Sequence, residues 1–198
     1  MFLSPPRLVL SLAVVLVPFL LFGALAAEVT TRSRIGWDAS VKQFLSSGSV
    51  AGKATPTSHV LTILGDREVI VPVILLVLFG LLVRRAIWQA TRFALGTAVA
   101  ALTPILKDSF DRADTFGPEH SFPSGHALGT MALWASLVVL VWPTRWRVPV
   151  AVTCGLVVPL VGLAVVVGGG HLPSDVLAGW LLALGWVGAV TLAFRLVR

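Results

Sequence analysis

Residues 8–27 read LVLSLAVVLVPFLLFGALAA, twenty positions without a charge. An α-helix needs about 20 such residues to cross the ~30 Å hydrocarbon core of a bilayer. In lipid it also satisfies its own backbone hydrogen bonds, which an irregular segment cannot do. Comparable apolar blocks follow at about 61–83, 86–106, 127–142, 148–167 and 176–194. Hydrophobic residues make up 57% of the chain and charged residues 12%, against about 25% charged in soluble domains. The pattern predicts an all-α, six-span transmembrane helix bundle, one integral membrane domain over residues 1–198.

The blocks are not equally clean. "ALAA" at the end of the first also fits a secretory signal, but the apolar run exceeds the usual ~7–15 residues of a signal core, which favours a retained helix. The second block is apolar mainly over Val69–Val83, so its span is expected to begin near Leu61. Gln89, Arg92 and Pro104 interrupt the third. Between the first two lies a polar segment, 28–68, in which GWDASVKQFL suits a short interfacial helix anchored by Trp37. The single cysteine, Cys154, can form no internal disulfide.

The net charge of +6 would suit a nucleic-acid binder, but its distribution points to a membrane and no nucleic acid. Arg7, Arg84, Arg85, Arg92, Arg145, Arg147, Arg195 and Arg198 fall on one side of a six-span topology, with no Asp or Glu among them. All nine acids and all four histidines fall in segments assigned to the other side. Lysine and arginine in short loops set orientation. Both termini are therefore expected in the cytoplasm, in a bacterial cytoplasmic membrane, with the reactive groups at the extracytoplasmic rim.

Two short segments carry chemistry. In HSFPSGHALG, residues 120–129, Ser124 is a good N-cap and Gly125 permits close backbone approach. The free N–H groups and dipole of the helix start favour an anion. The same pattern also fits a merely capped helix with an interfacial histidine, His126. In HLPSD, His171 and Asp175 stand four apart and share a face if the backbone is helical. A carboxylate on one imidazole nitrogen leaves the other free as base or nucleophile. Asp175 could equally serve the helix dipole alone. Gly125-x3-Gly129 allows a close helix contact, a common pattern.

PSGH followed about 45 residues later by HLPSDVLAGW, in a six-span chain, resembles the type-2 phosphatidic acid phosphatase superfamily of membrane lipid phosphatases. The resemblance runs over about Lys107–Trp180. It implies hydrolysis of a lipid phosphate or an isoprenyl pyrophosphate through a phosphohistidine, with no metal and no cofactor. It implies that His171 is the nucleophile, that Asp175 orients it, and that His126 protonates the leaving group. Ser124 and Gly125 match the positions that hold phosphate oxygens, and Lys107 matches the lysine of the first motif. Arg112 matches an arginine often present in bacterial members.

Two family arginines are missing. Asp114 stands seven after Lys107, and Val165 stands six before His171. An arginine fork on phosphate is a strong bidentate contact, so its loss should weaken phosphate binding. This leaves a second class of function open: a non-catalytic member that binds a lipid headgroup or a divalent cation. Asp108, Asp111, Asp114, Glu119, His120, His126, His171 and Asp175 would supply carboxylates and imidazoles for a cation, though their spacing matches no specific metal motif. His59 and His120 read as plain loop residues. The expected partners are a lipid phosphate and the bilayer; oligomeric state is not legible.

Overall fold

A computed structural model describes residues 4–32, 35–47, 56–110 and 121–197. The described residues form helices and their connections, without a strand. In order they are α1 (Pro5–Arg32), α2 (Gly36–Ser47), α3 (Pro56–Ile63), α4 (Arg67–Val83), α5 (Ile87–Thr97), a 3-10 turn (Ala98–Leu102), α6 (Thr103–Phe110), α7 (Gly125–Val141), α8 (Arg147–Val167) and α9 (Pro173–Leu196).

Helices α7 and α9 form the centre. α9 packs against α1 on one side and α7 on the other, and α8 and α5 close on α7. Small residues let these helices approach. A Cβ on Gly185 would sit 3.1 Å from the Phe19 ring, and one on Gly162 would strike the Trp180 ring, so α1 meets α9, and α9 meets α8, at glycines. Both residues of the Gly125-x3-Gly129 pair are packed, on different neighbours. Gly125 faces Thr103 at the start of α6, and Gly129 faces Ile70 in the first turn of α4.

Large apolar side chains point outward along the long helices, among them Leu20 on α1, Leu76 and Phe79 on α4, and Leu156 on α8. Water would not tolerate so large an exposed apolar surface; lipid chains would. The stretches Leu8–Thr31, Arg147–Val167 and Pro173–Leu196 are long and apolar enough to cross a membrane, and Gly125–Val141 is a shorter apolar helix. The chain is an integral membrane protein.

Helix boundaries depart from the apolar blocks at two places. The block at 61–83 is not one helix. α3 ends at Ile63, a turn follows, and α4 starts at Arg67 with Asp66 as its N-cap. Helix 86–106 is also interrupted. Pro104 lacks an N–H and cannot close a regular α-turn, and the chain passes through the 3-10 turn at Ala98–Leu102 before α6.

The two ends of the bundle differ in character. Arg84, Arg85, Arg145, Arg147 and Arg195 lie at the end reached by the C-termini of α4, α7 and α9. Trp142 and Trp146 are exposed there, as aromatic residues are at a bilayer interface. The starts of α4, α7 and α9 gather at the opposite end, where α2 also packs on α8 and α9.

Candidate active site

The two motif segments meet at that opposite rim because their helix starts are tied together. Ser124 is the N-cap of α7, and its Oγ accepts the Ala127 N–H at 3.4 Å, a long cap bond. Its own backbone N–H donates to the Asp175 carbonyl at 3.0 Å. Gly179 lies one turn further along α9, against the same place. A Cβ there would come 2.8 Å from the Ser124 carbonyl oxygen and 2.9 Å from the Leu128 nitrogen. The glycine of the HLPSDVLAGW segment is thus the contact point at which α9 presses on the first turn of α7.

The loop ahead of Ser124 is held by aromatic packing. Phe122 is fully buried. Its ring stacks on Phe22 of α1 at 6.1 Å between centroids and meets Phe110 of α6 edge-on at 5.2 Å. α1, α6 and the PSGH turn therefore share one apolar anchor.

His171 is buried and Asp175 fully so, at 8% and 0% exposure. Asp175 Oδ2 accepts the Leu172 N–H at 2.9 Å, closing the first turn of α9. The same oxygen lies 3.7 Å from His171 Nδ1. That is an electrostatic approach but too long for a hydrogen bond, and Nδ1 has no hydrogen-bond partner among the described residues. Catalytic hydrogen bonds are often long without substrate, and a small ring movement would close this one.

His126 stands in the rim turn of α7, ahead of the apolar stretch 127–142. Its ring lies 6.0 Å from that of His171, centroid to centroid. Its Nε2 is 2.7 Å from Asp66 Oδ1, in the turn between α3 and α4. Burial lowers the pKa of His126 from the usual imidazole value, and the Asp66 hydrogen bond opposes this. His171 and Lys107 add to the lowering. Lys107, in the last turn of α6, is half-buried and close enough to act on that imidazole.

The structure thus brings His126, His171, Asp175, Ser124 and Gly125 to one rim, with Lys107 nearby. Arg112, Asp111, Asp114, Glu119 and His120 lie outside the described residues. Val165, which the resemblance sets against an arginine, is buried with Ala127, Val166 and Val176. It offers only its carbonyl, which accepts the His171 N–H at 3.3 Å. Among the described residues no three His, Cys, Asp or Glu side chains gather as a metal ion would need. His59 and Asp108 are exposed.

Carboxylates from outside the motif segments also bond to them at this rim. Asp66 is one. Another is Asp38 of α2, 3% exposed. Its Oδ1 accepts the Ser174 N–H at 2.8 Å and its Oδ2 the Ser174 O–H at 2.6 Å. Asp38 thereby satisfies a free N–H in the first turn of α9 that the helix cannot satisfy itself. A turn signal, Gly65-Asp66 before an apolar run, marks Asp66 as a cap; nothing in the sequence pairs it with His126.

The family sequence model described as the PAP2 superfamily matches residues 86–197, more than half of the chain. No curated protein sequence matches. Among solved structures, a transmembrane PAP2 type phosphatidylglycerolphosphate phosphatase from Bacillus subtilis is similar, with a TM-score of 0.79 at 22% identity. The match covers 94% of this chain and 98% of that one.

Proposed function

The chain belongs to the PAP2 superfamily and has the fold of a PAP2-type membrane phosphatase, and from that premise we propose that it hydrolyses a lipid phosphate or isoprenyl pyrophosphate through a phosphohistidine. The observation that carries the reading is the pair of imidazoles 6.0 Å apart, one beside a buried carboxylate and one at a helix start. Two rings at that spacing can touch the same tetrahedral phosphoryl group.

In the first step His171 Nε2 attacks phosphorus, since Nδ1 faces Asp175. The P–N bond forms as the P–O bond to the leaving group breaks. His126 gives its proton to the departing oxygen, which leaves as an alcohol or a phosphate. In the second step water attacks phosphorus, His126 takes its proton, and the P–N bond breaks to release inorganic phosphate. Asp175 steadies the positive charge that develops on His171 as it becomes bonded.

The α7 N-terminus supplies the anion site. Ser124 and Gly125 start that helix, and its unpaired N–H groups and dipole face the rim. Lys107 adds a positive charge, and Arg112 is the second cation proposed for phosphate. Val165 cannot replace an arginine fork, so transition-state charge is stabilised less strongly here than a bidentate clamp would allow. A tail left in the bilayer and a headgroup at the rim suit an amphiphilic substrate.

The arginines of the short loops and chain ends support a topology with both ends in the cytoplasm and the site outside. A reporter fused after Arg198 should then read cytoplasmic, and one inserted between Gly117 and Pro118 external.

The experiment that tests the function is phosphate release from a panel of lipid monophosphates and isoprenyl pyrophosphates by the purified protein, with and without EDTA. Turnover that persists in EDTA is expected. Turnover abolished by EDTA would replace the phosphohistidine with a metal-assisted reaction. Binding without turnover on any substrate would favour the non-catalytic headgroup binder.

A further inference from the structure

The turn between α3 and α4 has no assigned part in the reaction, yet it is built against the catalytic rim. Gly65 is packed where a Cβ would lie 2.7 Å from Val161 Cγ1, 3.2 Å from His126 Cβ and 3.2 Å from Thr130 Oγ1. Glycine at this position lets the turn come close to the His126 Cβ. Backbone bonds from Gly65 N–H to Thr62 and from Asp66 N–H to Ile63 tighten it. One turn below, Ile70 seats on Gly129, so α4 is docked on α7 beneath the same histidine.

Asp66 is the N-cap of α4, where an aspartate ordinarily accepts an N–H of the first turn. Here its side chain makes no cap bond. It reaches instead across 60 residues of sequence to His126 Nε2 at 2.7 Å. The next two charges do not compete for the histidine: Arg67 and Glu68 are exposed and bond each other at 3.1 Å.

We propose that Asp66 is a positioning residue for the reaction, holding the His126 imidazole by Nε2 so that Nδ1 presents the proton given to the leaving group. An ionised carboxylate only accepts hydrogen bonds, so Nε2 carries a hydrogen and Nδ1 is the nitrogen that gains and loses one. The rim then holds two carboxylate–imidazole pairs with opposite tasks. Asp175 stands behind the nucleophile, and Asp66 stands behind the acid. The inference rests on the phosphatase reading for its catalytic meaning, but the Asp66–His126 contact does not.

The charge of Asp66 also favours the imidazolium. The other described groups acting on His126 oppose it: His171 from the α8–α9 connection and Lys107 from α6, together with burial. The acid works while His126 is protonated, so that activity is present below its pKa and lost as pH rises through it. Removing the carboxylate lowers that pKa and moves the alkaline limb of kcat/KM to lower pH.

The test compares wild type with Asp66→Asn, which keeps size and hydrogen bonding but not charge, on two substrates with the same tail. One is dodecyl phosphate, whose alkoxide must be protonated to leave. The other is 4-dodecylphenyl phosphate, whose phenoxide leaves with little help. Asp66→Asn should lower kcat/KM on the alkyl ester by about tenfold or more, a part of the ~10²–10⁴-fold worth of a general acid. The loss of kcat/KM on the aryl ester should be less than about twofold, since the later attack of water is common to both esters and does not enter kcat/KM, and the alkaline limb should move to lower pH. Equal losses on both esters, or an unmoved limb, would overturn the proposal and leave Asp66 a structural residue.

An imidazole ¹⁵N titration of His126 in detergent reads the same contact without turnover. It should fall to lower pH in Asp66→Asn, and an unchanged titration would overturn the proposal even in an active enzyme. Wild type inert on both esters, with the titration shift present, would sink the phosphatase reading while leaving Asp66 as the holder of the His126 proton.

Discussion

The Ser124 N–H donates to the Asp175 carbonyl at 3.0 Å. That one backbone bond joins the start of α7 to the start of α9 and sets the spacing between the first turn of α7 and the buried carboxylate beside His171. The motif segments lie about 45 residues apart in sequence, and what brings them together is backbone contact as much as side-chain chemistry.

Gly179 is the steric side of the same junction. A Cβ at this position would meet backbone atoms of Ser124 and Leu128 at 2.8 and 2.9 Å, and backbone cannot turn aside as a side chain can. Gly179→Ala should destabilise the protein by about 1–3 kcal/mol, the usual cost of overpacking, and lower hydrolysis by displacing the α7 start. Thermal unfolding in detergent and a turnover assay on the same sample check this. A variant with unchanged stability and activity would show that the junction is looser than described.

Asp38 binds the first turn of α9 from α2. Its carboxylate accepts both the N–H and the O–H of Ser174, and all of these groups are buried. Asp38→Ala leaves buried donors without that acceptor, at about 1–3 kcal/mol for such a loss. Stability should fall and hydrolysis with it. Limited proteolysis of the α2 region should also speed up, since the tie to α9 is gone. Retention of full stability would mean that other groups satisfy Ser174.

Asp175 has two duties that substitution can separate. Its Oδ2 accepts the Leu172 N–H at 2.9 Å and stands 3.7 Å from His171 Nδ1. Asp175→Asn keeps an acceptor for the cap but loses the charge, so unfolding should stay close to wild type while kcat falls by about 10-fold or more. Asp175→Ala loses both, and stability should drop by about 1 kcal/mol, the typical worth of a cap bond. Equal stability losses in the two variants would place the carboxylate's charge in the fold and not in the reaction.

The helix bundle is legible in the sequence because apolar blocks of span length leave few alternatives. The helix starts at Ser124 and Pro173 are legible because capping and proline chemistry is local. Helix breaks are harder: the turn at Gly65-Asp66 falls inside the block read as one span over 61–83, since hydropathy averages over a single turn. The partners of His126 and Ser174 are not legible. Asp66 is 60 residues from His126 and Asp38 is 136 from Ser174, and no local pattern encodes a contact that depends on how α2, α3 and α4 dock. Val165 is visible as a departure from the family pattern. Its place in an apolar cluster with Ala127, Val166 and Val176 follows only from packing.

The central claim is that His171 becomes covalently phosphorylated. The direct measurement is acid-labile incorporation of label from a ³²P-labelled lipid phosphate, quenched within a turnover, in wild type and His171→Ala at matched folding. Label on wild type, and neither label nor turnover in His171→Ala, is the expected result. A folded His171→Ala protein that still hydrolyses the lipid phosphate would contradict the account.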